Sequence, residues 1–265
     1  MGNATLDMSG IIEKNPLGKF QKLVMFFCAL VIVFDGFDVL AIAFAAPALS
    51  AALDIPRSEL AYVFSAGLVG MMIGALVLGP VGDKYGRRYA VIFSVFVFAL
   101  CTLITGFIES YNELVLLRFL TGLGLGGAMP NATALMTEYV STRQRNVAVA
   151  VIFLGMPIGG ITGGLLASEI IPVYGWESLF YIGGVMPLLL VPVLLKWLPE
   201  SPRFLVEHDK DNDESLRLIA RKIEIKETIA DDAKFAHHTE EKKHFPVKAL
   251  FMEGRAKDTV LIWTV

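Results

Sequence analysis

Six long apolar stretches constrain this 265-residue chain more than any other feature: Leu23–Phe44, Leu60–Val81, Tyr89–Phe107, Leu114–Met136, Val147–Ile171 and Leu179–Leu198. A helix needs about 20 mostly apolar residues to cross ~30 Å of hydrocarbon, and each stretch supplies close to that number. The alternation of apolar and polar residues that marks membrane barrel strands is missing from them. Inside lipid the backbone must satisfy its own hydrogen bonds, so the expected class is all-α, a six-helix transmembrane bundle. Composition agrees, with 55% hydrophobic residues against roughly 45–50% in soluble domains. Charge is sparse from Leu23 to Leu195 and dense from Lys196 to Asp258. The reading is therefore an N-terminal segment over 1–22, a bundle over 23–198, an aqueous loop over 199–258 and the start of a seventh span over 259–265.

Lysine and arginine gather on the cytoplasmic side of membrane proteins. Lys14, Lys19 and Lys22 precede the first span, Lys84, Arg87 and Arg88 follow the second, Arg143 and Arg145 follow the fourth, and Lys196 and Arg203 border the sixth. All four groups fall on one side, whereas the opposite connections carry Arg57 as their one base. The N-terminus is expected in the cytoplasm. Met1 to Lys22 has no continuous apolar core and is not a signal peptide, so the first span directs insertion. A net charge of −3 with no basic face excludes nucleic acid as a partner. Cys28 and Cys101 lie in apolar runs, where a thiol packs as a small hydrophobe.

Beyond Pro199 roughly 55 residues run without a long apolar stretch, more than a structureless connector usually holds. Leu216, Ile219, Ile223 and Ile229 recur near helical spacing, so an amphipathic helix is expected within Asp213–Ala230, lying on the membrane face or on the bundle. Thr259 to Val265 is apolar but reaches about a third of a span's length, and is read as the cut-off start of a seventh helix.

The most specific motif joins the second and third spans: Gly79-Pro80-Val81-Gly82-Asp83-Lys84-Tyr85-Gly86-Arg87-Arg88. It reads as a tight two-glycine turn that presents the acid Asp83 among the bases Lys84, Arg87 and Arg88 at a helix end. The positive-inside rule accounts for the bases but not for Asp83 or the glycines. This run resembles the signature loop of the major facilitator superfamily, and Arg118 followed by Gly122, Gly124, Gly126 and Gly127 resembles that family's fourth helix. An arginine at this depth is costly unless it is paired or hydrated, so Arg118 should face a cavity, or snorkel to water if it sits near the outer face. Glycines 67, 70 and 74 and glycines 155, 159 and 163 form small-residue faces suited to close helix packing.

Asp35-Gly36-Phe37-Asp38 places two carboxyl groups on one face of the first span, and ~1.5 Å per residue from Leu23 puts Asp35 near the bilayer centre. Two acids there do not both stay ionised cheaply, so at least one is expected to hold a proton near neutrality. The element is similar to the acidic pair of the aromatic acid:proton symporters, which import benzoate, 4-hydroxybenzoate and related acids. Pro130-Asn131, Thr137-Glu138-Tyr139, Arg143, Gly155-Met156-Pro157, Gly175-Trp176 and Pro199-Glu200-Ser201-Pro202-Arg203-Phe204 agree with that group.

The resemblance implies that Asp35 and Asp38 carry the proton and that Arg118 attracts the substrate carboxylate or pairs with Asp38. Gly79, Asp83, Lys84, Gly86, Arg87, Arg88, Glu138 and Arg143 would form a cytoplasmic gate, with Glu138 binding Arg143 or a base of the loop. Such carriers have two six-helix halves with substrate between them. This chain would supply the N-terminal half in a bacterial inner membrane, inactive without the C-terminal half, which would also supply a partner for Asp83. A sugar or organic-cation porter of the same superfamily, and a non-transporting truncated membrane protein, remain open alternatives. Nothing points to an enzyme, a metal or a cofactor: His208, His237, His238 and His244 all lie in the aqueous loop, where a solvated His237-His238 pair is the ordinary reading.

Overall fold

A computed structural model describes residues 5–6, 8–14, 17–208, 213–223 and 234–235. A two-residue strand β1 (Thr5–Leu6) precedes the short helix α1 (Met8–Lys14). Six long helices follow: α2 (Lys19–Ala52), α3 (Arg57–Tyr85), α4 (Arg87–Thr105), α5 (Tyr111–Thr137), α6 (Thr142–Tyr174) and α7 (Glu177–Trp197). The short helices α8 (Pro202–His208) and α9 (Asp213–Lys222) come next, and β2 (Lys234–Phe235) pairs in parallel with β1. All six long helices are apolar enough to cross a membrane. The fold class is all-α, with six spans. The remainder of Asp213–Ala230, the segment 259–265 and His237, His238 and His244 lie outside the described residues.

Several helices outrun their apolar stretches: α2 continues through the small residues of Ala45–Ala52, and α6 begins with the polar run Thr142–Asn146. Helix α2 has 34 residues, about 51 Å at 1.5 Å per residue, and Asp35 falls at its midpoint. Its start is fixed by Gln21, whose Oε1 accepts from Gly18 N at 2.8 Å. At the start of α5, Ser110 Oγ accepts from Glu113 N while Glu113 Oε2 accepts from Ser110 N, a reciprocal cap.

The bundle is built from close helix pairs: α3 with α5, α2 with α6, and α4 with both α5 and α7. Small residues permit the first two. A Cβ at Gly70 or Gly74 would strike the carbonyls of Phe119 or Leu123 on α5, and one at Gly159 would strike Val33 O on α2. With no hydrophobic force between helices in lipid, such backbone contact is a main source of cohesion. Side chains then fill two buried clusters. One runs from the bundle centre to its base through Val31, Phe98, Leu125 and Ile152, and the other closes the opposite end around Leu49, Leu114, Leu179 and Phe180.

The base is capped by the short helices. Met8, Ile11 and Ile12 of α1, Leu205 of α8 and Leu216, Ile219 and Ala220 of α9 join the central cluster. Helix α9 thus lies with its apolar side against the bundle. Ser141, at the N-cap of α6, provides no side-chain cap, and Thr142 N donates instead to Glu13 Oε2 of α1 at 2.8 Å.

Candidate functional site: a buried acid pair and a polar base

Asp35, Asp38 and Arg118 are buried inside the bundle, with 1%, 1% and 4% of their surface exposed. Helix α2 brings the two acids to its inward side, and α5 brings Arg118 to meet them. Arg118 Nη1 stands 3.5 Å from Asp38 Oδ2, and its Nη2 donates to Thr105 Oγ1 at 2.7 Å. Thr105 Oγ1 in turn donates to Cys101 O at 2.8 Å, while Thr102 Oγ1 donates to the other oxygen of Asp38. The guanidinium also lies 5.3 Å from the ring centroid of Phe180 on α7. Arg118 is therefore held by an acid, a hydroxyl and an aromatic face from three helices, and does not snorkel outward. Thr102 and Thr105 escape a sequence reading because threonine is common in apolar helices. The one available signal is their spacing of three residues on α4.

The motif between the second and third spans departs from the expected two-glycine turn. Helix α3 runs through Gly79 and Gly82 to Tyr85, and Gly86 alone makes the turn, at φ +109°, before α4 begins at Arg87. A Cβ at Gly86 would be strained by that backbone and would strike the Glu200 carboxylate. Gly82 has a separate reason to be glycine, since a Cβ there would strike Asn131 Oδ1 of α5. Asn131 is fully buried and bridges the two helices, its Nδ2 donating to Leu78 O at 2.9 Å and Gly127 O at 2.8 Å. Its Oδ1 accepts from Arg87 Nη1 at 3.1 Å. Around Gly79 a Cβ would meet open space.

Asp83 finds its partner within this chain: Arg87, four residues on, forms an ion pair with it. Lys84 is exposed, with its ammonium 5.1 Å from the Tyr85 ring centroid. Arg88 meets the end of α7 and the link beyond it, its side chain donating to Leu195 O of α7 and its amide to Glu200 Oε1 of the link at 3.0 Å. Glu138 accepts from Ser201 Oγ, and Arg87 and Arg203 act on it at longer range. Arg143 is exposed on the first turn of α6. Burial pushes the Glu138 carboxyl above the usual glutamate range, against the pull of Ser201 and Arg87, and does the same to Glu200. Tyr139 and Asn131, which the sequence marks only by agreement with the family, and Gln21, which it does not mark, complete this base: Gln21 Nε2 donates to Tyr139 O at 2.6 Å and Tyr139 OH to Glu200 O.

Six apolar helices, a one-residue turn flanked by Asp83 and Arg87, and an arginine buried beside an intramembrane acid are features that a family comparison can decide. A model of the Major Facilitator Superfamily matches residues 26–256. The chain belongs to the major facilitator superfamily. It is 44% identical over 209 residues to a 4-hydroxybenzoate transporter, PcaK, of Pseudomonas putida, covering 79% of this chain and 47% of that protein. Against the PcaK of Acinetobacter baylyi the identity is 40% over 265 residues, 98% of this chain and 57% of the relative. A gallate transporter of Pseudomonas putida is 36% identical over 262 residues, 98% and 58% of the two chains. Among solved structures, a double-tryptophan mutant of XylE superposes with a TM-score of 0.68 at 19% identity, over 78% of this chain and 50% of that one. A partially occluded, inward-open structure of XylE, the xylose transporter of E. coli, gives 0.66 at 20%, over 77% and 55%. These similarities in structure establish the fold. The chain spans about half the length of the curated relatives it matches, and the family and those relatives are transporters rather than enzymes.

Proposed function

We propose that this chain forms the N-terminal half of a proton-coupled importer of aromatic carboxylates in a bacterial inner membrane, with its N-terminus in the cytoplasm. The observation that carries the reading is the Asp38–Arg118 pair, sealed inside the bundle with Thr102 and Thr105 on its two members. A buried charge pair is costly to break from one side only, because the remaining charge is left without a partner. If Asp38 takes up a proton, Arg118 loses its counter-ion and becomes the best partner for an incoming carboxylate. When the proton leaves toward the cytoplasm, Asp38 reclaims Arg118 and the substrate is displaced. Proton and substrate thereby exchange one cation between them, which is symport.

Asp35, one turn away at the middle of α2, is the second proton-carrying acid in this reading. Asp83, Arg87, Arg88, Glu138 and Glu200 serve as the cytoplasmic gate, and the substrate lies between this bundle and a second six-helix half. The relatives named for 4-hydroxybenzoate and gallate support the substrate class. The test is uptake of labelled 4-hydroxybenzoate, with labelled xylose as control, by cells that express this chain together with the C-terminal half of a relative. Accumulation of the aromatic acid is expected, abolished by a protonophore and by Asp38→Asn. Accumulation that survives Asp38→Asn, or that favours the sugar, refutes the proposal.

A further inference from the structure

Helix α7 is pinned to α4 at two points beside Phe180. Tyr181 OH donates to Gly106 O at 2.7 Å, and a Cβ at Gly106 would strike the Tyr181 ring. One turn further along α7, a Cβ at Gly184 would strike the backbone of Leu103. These contact points on α4 interleave with Thr102 and Thr105, whose hydroxyls meet Asp38 and Arg118. Thr105 and the Phe180 ring therefore belong to one close-packed helix pair, and Arg118 reaches both of them from α5. Its Nη2 donates to the hydroxyl at 2.7 Å, and its guanidinium carbon lies 5.3 Å from the ring centroid. Phe180 is fully enclosed, and Trp176, at the N-cap of α7, packs near-perpendicular to it at 5.8 Å.

The contact between Arg118 and Asp38 is long, at 3.5 Å, the outer limit of a hydrogen bond. The ring thus shares the cation with the acid. An aromatic face is negative, so it attracts a guanidinium and repels a carboxylate. Toward an ion pair the two effects partly cancel. Once the carboxyl is neutral the cancellation ends, and the ring faces a lone cation shielded from water, the condition in which such a contact is strongest.

We propose that Phe180 is a positioning residue of the transport reaction: it holds the Arg118 guanidinium in place during the interval when Asp38 is protonated and the substrate carboxylate has not yet bound. Thr105 supplies the hydrogen bond in that interval and Phe180 the electrostatic seat. The incoming carboxylate then meets a cation already in place rather than one free to swing toward water. This rests on the reading of Asp38 and Arg118 as the pair that exchanges proton and substrate.

Graded fluorination of Phe180 tests it, because fluorine drains the negative face of the ring with little change in size. Analogues with one, two or three fluorines replace Phe180 in the 265-residue chain, and thermal unfolding is followed in mixed micelles. In Asp38→Asn, where the asparagine mimics the neutral acid, the midpoint is expected to fall with each fluorine, by about 4–8 °C in total. In the unsubstituted chain the fall should be less than half as large, and in Asp38→Asn with Arg118→Met it should vanish. Asp38→Ser, which leaves room for water beside the cation, replaces Asp38→Asn if circular dichroism shows a disturbed fold. Uptake of 4-hydroxybenzoate by the chain joined with its C-terminal half should decline in the same order of fluorine count. Equal falls in all three chains, the mark of a ring that only fills space, overturn the proposal, and so does uptake indifferent to the fluorines. Failure of the symport reading is seen separately: uptake that survives Asp38→Asn leaves the unfolding series standing.

Discussion

A single buried charge pair sets the strongest energetic constraint at the scale of residues. Asp38→Asn leaves Arg118 enclosed by Thr105 and Phe180 with no counter-ion, and removing one member of such a pair costs about 3–5 kcal/mol. The double variant Asp38→Asn with Arg118→Met is expected to lose much less, so unfolding in mixed micelles should reveal a coupling energy between the two positions. Additive losses would mean that the two side chains do not interact. Glu138 gives a pH-dependent expectation. Its carboxyl sits above the usual glutamate range in the folded chain because it is buried, so between the two values the native state holds a proton that the unfolded state has released. Stability from this group therefore falls as pH rises through that window, and is restored below the ordinary glutamate value. Glu138→Gln should flatten this part of the stability-versus-pH curve, measured by thermal unfolding from pH 4 to pH 8. The acids of α2 were legible in the sequence because ionisable residues are rare in apolar runs. The hydroxyls that hold the pair were not, since Thr102 and Thr105 fit a lipid helix whether or not they bond anything.

Three glycines of one motif separate sharply at the scale of elements. Gly79→Ala meets open space inside a helix and should stabilise this chain slightly, by about 0.5–1 kcal/mol of helix propensity. Gly82→Ala displaces the Asn131 amide from α3, and Gly86→Ala adds backbone strain and a clash with Glu200, so each is expected to cost about 1–3 kcal/mol. Equal effects at all three positions would contradict the one-residue turn. The sequence marked the glycines as a group but not their separate reasons, because the relevant obstacles, Asn131 and Glu200, lie 49 and 114 residues downstream of Gly82 and Gly86. Helix existence followed directly from the apolar runs. The ends did not, because α2 and α6 run on past their apolar stretches through Pro47 and Pro172, residues that a sequence reading takes as stops.

Orientation can be tested on the molecule as a whole. Cysteine placed at Arg143 should react with an impermeant maleimide only from the cytoplasmic side, and cysteine at Glu109 only from the outside. Cys28 and Cys101 are both buried, so they contribute little background. The reverse pattern would overturn the topology drawn from lysine and arginine placement. The capped base carries a consequence for how the chain is made. Met8, Ile11 and Ile12 leave the ribosome first, yet Leu216, which shares their cluster, is translated 204 residues after Ile12, and Thr142 must emerge before Glu13 can serve it. The base thus cannot complete its packing until α9, far along the chain, has joined α1 and the foot of the bundle.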